Sequence, residues 1–459
     1  MAMRLSEVSA AVLETQYAVR GPIVARAQAL ERAGKRIIYC NIGNPQALGQ
    51  KPLTWIRQGL ALGEYPVLAD LPGGSFPEDA IENSRRFLEG SGHGLGAYSE
   101  SKGVRIVRDT VAEFIDRRDG GDGSAAVPVK ADPDSIFLTD GASKAVQTAL
   151  RMLIASAHDG IMIPIPQYPL YSASIALYGG KQVGYYLDEA EGWALSESML
   201  EDAFVAARAE GTKVKAICVI NPGNPTGAVL DRDNIAMVIR FASRHGLAIL
   251  ADEVYQDNIY RPGLRFVSFA RVMAELGETD VSLFSFHSCS KGLLGECGQR
   301  GGYMEIRNIP VDVAAQITKL QSVSLCANLP GQLALYFMVK PPRPGDPSRN
   351  LYDHERSAIM DTLKARAILL AEGLSAIPGY SCAPISGAMY AFPRIDIPAG
   401  KTDEDYCLDL LETTGICVVP GSGFGQKPGT AHFRTTILPP VADLESVVHA
   451  IAAFHATWR

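Results

Sequence analysis

The stretch VKAICVINPGNPTGAVLDRDNIAMVIRFASRHGLAILADEVY, residues 214–255, decides the fold. It opens with an apolar run, breaks at an Asn/Pro/Gly cluster, and resumes in DNIAMVIRFASRHG with apolar residues at helical spacing, ended by Gly246. LAILADEVY then returns as a second apolar run. Strand, turn, helix and strand in so short a span is the unit that builds parallel sheets. Strands that are apolar along their whole length predict a sheet covered on both faces.

The same alternation extends from about residue 134 to 306. SIFLTD reads as a strand and GASKAVQTALRMLIASA as a helix, and GIMIPIP, VSLFSFHS and GYMEI are further strands. Upstream, IVARAQALERAGKR (23–36) is a helix stopping at Gly34, and RIIYCNIGNPQ (36–46) is a short strand running into a loop. Residues 63–97 are dense in Gly and Pro, which predicts loops and short helices. Downstream, 310–340 is helix-rich, PPRPGDPSRN (341–350) is a breaker, and a long helix runs from Leu351 to about Ser375. GAMYAFPRI, GICVVPGSGFG and HFRTTIL read as strands, and LESVVHAIAAFHA as a closing helix. The expected class is α/β. A large domain with a mainly parallel sheet takes residues 61–340, and a smaller α+β domain takes 341–459. An N-terminal segment, 1–60, packs with the smaller domain.

At 459 residues, two or three domains are expected. The hydrophobic share of 47%, the charged share of 20% and the net charge of −7 describe an ordinary globular chain. They offer no attraction for nucleic acid or an anionic membrane. The eight cysteines, Cys40, Cys218, Cys289, Cys297, Cys326, Cys382, Cys407 and Cys417, form no CxxC pair and no zinc-spaced cluster, so reduced thiols and no metal are expected. The first 21 residues lack a signal-peptide core, and Glu7 and Glu14 speak against an organelle presequence. The chain ends ATWR, not SKL. A cytosolic protein is expected.

The residues able to carry chemistry fall where strands end. In SFHSCSKG (285–292) Lys291 stands at the open edge of the sheet, where α/β proteins bind ligands. A lysine there can condense with an aldehyde, although alone it reads more readily as a solvated side chain. Asp252 ends the strand of LAILADEVY with Tyr255 three residues on. Such a carboxylate can hold a protonated pyridine nitrogen, or simply cap a strand. Asn224 lies in the rigid turn NPGNPTG. Gly141, Ala142 and Ser143 open a helix, whose free N–H groups and dipole suit phosphate, and Arg300 can add a charged donor. Tyr168 follows a strand and can stack on a flat ring. Arg434, inside the strand of HFRTTIL, needs an anion: a substrate carboxylate or an internal salt bridge.

Seven weak signals in one consistent order make a specific pattern. With QYAVRGPIVARA (16–27), YCNIGNPQALGQKPLT (39–54), GAYSESKG (96–103), FHSCSKGLLGECGQRGGY (286–303) and HFRTTILPP (432–440), the chain resembles the class I/II aminotransferases of the fold-type I pyridoxal 5′-phosphate (PLP) enzymes, nearest their alanine aminotransferase branch. The resemblance covers nearly the whole chain. It implies transfer of an amino group from L-alanine to 2-oxoglutarate. Lys291 then holds PLP as an imine and moves the proton. Asp252 pairs with the ring nitrogen, Asn224 and Tyr255 hold the 3-oxygen, and Tyr168 stacks on the ring. Ala142, Ser143, Ser288 and Arg300 bind the phosphate, while Arg434 and Gly43 hold the substrate carboxylate. It also implies a homodimer in which Tyr98 reaches the neighbouring subunit's cofactor. One feature departs from the wider class: eight residues after the lysine stands Gln299, and Arg300 follows it.

Three rivals differ in function. Glutamate–glyoxylate aminotransferases share the motifs and separate only by substrate or location. A PLP β/γ-lyase or a 1-aminocyclopropane-1-carboxylate synthase-like enzyme would make no stoichiometric keto acid. A transcription regulator with an aminotransferase-like domain needs an N-terminal winged helix, for which there is no room before the IGNP loop at Ile42.

Overall fold

The structure, a computed structural model, describes residues 3–17, 21–71, 73–120, 127 and 129–458. Residues 18–20 of the motif at 16–27 lie outside it. Seven strands form the main sheet: β1 (Ile136–Asp140), β2 (Asp159–Ile165), β3 (Lys181–Tyr186), β4 (Lys213–Ile220), β5 (Ala248–Asp252), β6 (Leu283–Ser288) and β7 (Gly301–Arg307). Their order is β1-β7-β6-β5-β4-β2-β3. β7 runs antiparallel to both neighbours, and the other pairings are parallel. The expected α/β class with a mainly parallel sheet is what the chain forms.

Alternating side chains face opposite layers. Ile217, Val219 and Ile249 pack with Ile235, Ile239 and Phe241 on one face, while Ala216, Cys218 and Leu250 meet Val146, Leu150 and Tyr171 on the other. The helix Arg232–His245 between β4 and β5 starts where the Asp231 side chain accepts from the Asn234 N–H at 2.8 Å. It stops at Gly246, whose φ of +64° suits a residue without a Cβ.

Several elements escaped the sequence reading, among them helices Arg105–Asp119 and Glu197–Ala209. Strand β3, KQVGYY, lies at the sheet edge and buries only Val183 and Tyr185, so it shows no continuous apolar run. Helix Glu78–Ser91, in the segment expected to be loops and short helices, is amphipathic and buries only Asp79, Ala80, Ser84 and Phe87.

The C-terminal part is built on helices Arg349–Ser375 and Val441–Thr457, whose Leu363, Leu370 and Leu374 pack with Leu444, Val447 and Ile451. Its strands are short, the longest being Phe433–Thr436. Strand Ile38–Tyr39 of the N-terminal segment pairs in parallel with Ile416–Cys417, which stitches the start of the chain to its end. The boundary expected at residue 60 falls inside helix Thr54–Glu64. That helix buries Trp55, Ile56 and Leu60 against Leu333 and Phe337, and Trp55 Nε1 donates to the Phe337 carbonyl at 3.1 Å. All eight cysteines are free.

Candidate active site

The carboxyl ends of β1, β2, β4, β5 and β6 open into one cavity of about 940 Å³. Each brings a residue singled out by its turn chemistry. β1 leads to Ala142 and Ser143, β2 to Tyr168, β4 to Asn224, β5 to Asp252 and Tyr255, and β6 to Ser288 and Lys291; all of these line the cavity, with Gly43 and Arg300. Parallel strands whose chain crosses behind the sheet leave their ends free for such a site. Tyr98 is elsewhere: it is 76% exposed and does not line the cavity.

Asp252 is the most constrained group. It is buried, and its Oδ2 accepts a hydrogen bond from Tyr171 Oη at 2.9 Å, while Oδ1 has no partner among the described residues. Burial pushes its carboxyl up to about 6, opposed by the Tyr171 bond, the Val254 N–H and the charge of Lys291. Across the cavity, Lys291 Nζ donates to the Gly43 carbonyl at 2.5 Å. Gly43 has no room for a side chain, because a Cβ there would fall 1.7 Å from Tyr390 Oη and 3.2 Å from Lys291 Nζ. Asn224 Nδ2 reaches Tyr255 Oη at 3.5 Å, and burial holds the Tyr255 phenol well above its ordinary range.

Arg434 stands behind Asn224, 1% exposed. Its two terminal nitrogens donate to Asn224 Oδ1 at 3.2 Å and to the Asn41 carbonyl at 2.7 Å, and Nε has no partner among the described residues. The guanidinium lies over the rings of Tyr390 (4.2 Å) and Phe424 (4.7 Å). Among the described residues no carboxylate pairs with it, which removes the internal salt bridge as an explanation for its burial.

The opposite end suits an anion. Helix Ala142–Leu153 begins after Gly141, at φ +77°, with no side chain capping its first turn. Its leading N–H groups and dipole therefore face the cavity. Arg300 adopts the left-handed region, at φ +55°, and donates to Ser290 Oγ at 3.2 Å and to the Cys297 and Asp140 carbonyls at 3.0 Å. A Cβ on Gly141 would meet its Nη2 at 2.4 Å, so the glycine is what lets the arginine approach. Arg300 lines the cavity and Gln299 does not.

Four further side chains belong to the site: Tyr171, Ser290, Tyr390, and Tyr17, whose hydroxyl lies 2.8 Å from that of Tyr168. Ser290 sits inside the motif already quoted. Tyr171 and Tyr390 carry no local mark, since each is an aromatic within an apolar run.

Comparison with known proteins agrees with this geometry. The family model described as aminotransferase class I and II matches residues 58–451. A probable mitochondrial alanine aminotransferase of Dictyostelium discoideum is 47% identical over 99% of the chain and 89% of its own length. Glutamate–glyoxylate aminotransferase 1 of Arabidopsis thaliana is 47% identical over 97% and 94%. The solved alanine aminotransferase of Pyrococcus furiosus superposes with a TM-score of 0.80 at 27% identity, covering 98% of this chain and 99% of that one. The cytosolic expectation is corrected by these relatives. The Dictyostelium protein and two alanine aminotransferases of Arabidopsis thaliana are named mitochondrial. The missing apolar core and the acidic residues of positions 1–21 therefore did not decide location.

Proposed function

The chain belongs to the class I and II aminotransferases, and from that premise we propose that it transfers the amino group of L-alanine to 2-oxoglutarate, giving pyruvate and L-glutamate, with PLP held at Lys291. The observation that carries the reading is Asp252: a buried carboxyl with one unpartnered oxygen, in the cavity that also receives the Lys291 amine. A protonated pyridine nitrogen fits that oxygen. The uncapped helix start at Ala142 and Ser143, with Arg300, fits a phosphate. When bound, PLP supplies an electron sink that weakens the bonds at the amino acid's Cα.

The chain's own residues do the rest. Asp252 keeps its charge opposite the ring nitrogen, and Tyr171 holds the carboxylate in place. Asn224 and Tyr255 offer donors to the ring's 3-oxygen, and Tyr168 covers the ring face. Ser288 adds a hydroxyl at the phosphate end. Lys291, with its amine anchored on the Gly43 carbonyl, takes the Cα proton and returns it to the cofactor side. Arg434, with a planar fork and no carboxylate of its own, receives the α-carboxylate that alanine and glutamate share, and Gly43 leaves it room. The active unit is a homodimer in which Tyr98 reaches the second subunit's site, consistent with its exposure on the loop before residue 100.

A second reading, glutamate–glyoxylate transfer, is favoured by the Arabidopsis relative. A pocket that takes pyruvate also takes a keto acid lacking its methyl, because one methylene is worth only about 1–3 kcal/mol. The test is kcat/KM for alanine, glutamate, aspartate and phenylalanine with matched acceptors, glyoxylate included. Alanine and glutamate rank first under this proposal. Aspartate or phenylalanine ahead of alanine sinks it, and glyoxylate well ahead of 2-oxoglutarate selects the second reading.

A further inference from the structure

Tyr390 is named by none of the roles above, yet it stands between the two cations of the site. Its ring lies 4.2 Å from the Arg434 guanidinium carbon. It meets Tyr255 edge-on, with ring centroids 6.2 Å apart. A Cβ on Gly43 would lie 1.7 Å from Tyr390 Oη and 3.2 Å from Lys291 Nζ. Hydroxyl and amine are therefore within about 5 Å of each other, a range at which charge on one alters the ionisation of the other. Tyr390 is 2% exposed, so bulk water does not screen the pair.

A lysine that takes and returns a proton has to be stable in both states. Charged, it needs a counter-charge, and the Gly43 carbonyl offers only a dipole. We propose that Tyr390 is a positioning residue for both cations. Its ring carries the Arg434 fork, and its hydroxyl supplies the counter-charge that lets Lys291 hold a proton between taking it and returning it. The balance is one proton. The Cα–H bond breaks as an N–H bond forms on Lys291, the return step breaks that N–H bond as the proton goes to the cofactor side, Tyr390 stays an anion throughout, and nothing is oxidised or reduced.

The groups facing the phenol are Lys291 from the loop after β6, Arg434 from strand Phe433–Thr436, Tyr255 from the loop after β5, Tyr168 from the loop after β2, and Cys297. Burial pushes the phenol up, but Lys291, Arg434 and Tyr255 outweigh it and leave it below the ordinary tyrosine value. Tyr390→Phe keeps the ring and removes only the hydroxyl. Tyr390→Leu removes both.

The inference rests on the reading of Lys291 as the reacting amine and Arg434 as the carboxylate partner, and its test separates the two. Tyrosinate absorbance near 295 nm is titrated in the purified full-length chain, before and after PLP is added. In wild type without PLP, one tyrosine ionises below about 10, the usual tyrosine value. It vanishes in Tyr390→Phe and moves to higher pH in Lys291→Ala. With PLP and alanine, the acid limb of kcat moves to lower pH in Tyr390→Phe, because the ammonium has lost its anion, while KM stays within about two-fold. In Tyr390→Leu, KM rises several-fold for amino and keto acids alike. A tyrosinate titration and an acid limb that are the same in wild type and Tyr390→Phe overturn the proposal. If wild type does not transaminate alanine at all, the proposed function falls, and the tyrosinate titration still decides the Tyr390–Lys291 pairing.

Discussion

Lys291 and Asp252 line the same cavity with different duties, and single substitutions separate them. Lys291→Ala removes the amine that anchors on Gly43 and moves the proton, so turnover of alanine is expected to vanish while the fold survives. Retention of near-normal turnover by the purified variant would show that another group carries the reaction. Asp252→Asn keeps the shape and the Tyr171 contact but not the charge. The expected loss in kcat/KM is on the order of 10²–10³, from the few kcal/mol that a broken buried ion pair costs. A variant within a few-fold of wild type reduces Asp252 to a structural role. These two residues, with Asn224, Ser143 and Arg300, were legible because each lies beside a Gly, Pro or Asn turn at a strand end. Tyr171 and Tyr390 were not, because a tyrosine inside an apolar helix or strand looks like core whether or not its hydroxyl is used.

At the scale of elements, strand β6 shows how one strand serves both the site and the stability of the fold. Its end carries Ser288, next to the cavity, while His287 points into the opposite layer, where it stacks on Phe114 with centroids 6.3 Å apart and meets Tyr303 edge-on. Neither His287 nitrogen has a partner among the described residues. Burial, then the charge of Arg118, pushes its pKa down to about 3. The unfolded chain titrates near 6.5, so the stability gained by keeping this ring neutral is complete above about 6.5 and drains away as pH falls toward 3. At pH 5 the loss is on the order of 2 kcal/mol. Unfolding of wild type and His287→Phe, followed at pH 7.5 and pH 5, measures it. The variant is expected to lose less stability than wild type on acidification, and parallel losses would assign the acid sensitivity to other groups. β6 was readable as a strand because VSLFSFHS is a bounded apolar run. β3 was not, since one wet face at the sheet edge dilutes the signal, and helix Glu78–Ser91 hid its small buried stripe among polar residues.

At the scale of the molecule, the N-terminal segment pairs with the C-terminal part through Ile38–Tyr39 and Ile416–Cys417, and the loop that follows it carries Gly43 into the cavity. The site therefore depends on residues from both ends of the chain. The outline of this arrangement was readable from the order of motifs, while the short strands beyond residue 375 were readable only as apolar runs without register. Location was not readable at all. The proposed dimer makes a further prediction. A Tyr98→Phe chain mixed with a Lys291→Ala chain forms hybrids with one site free of both changes, so activity is expected to exceed that of either variant alone. Full activity from a sedimenting monomer would end the shared-site proposal. The central claim is that amino groups are transferred and not eliminated, and it is tested most directly by product stoichiometry. Purified chain with PLP, L-alanine and 2-oxoglutarate should yield pyruvate and L-glutamate one for one without free ammonia. Pyruvate accompanied by ammonia and no glutamate would contradict it.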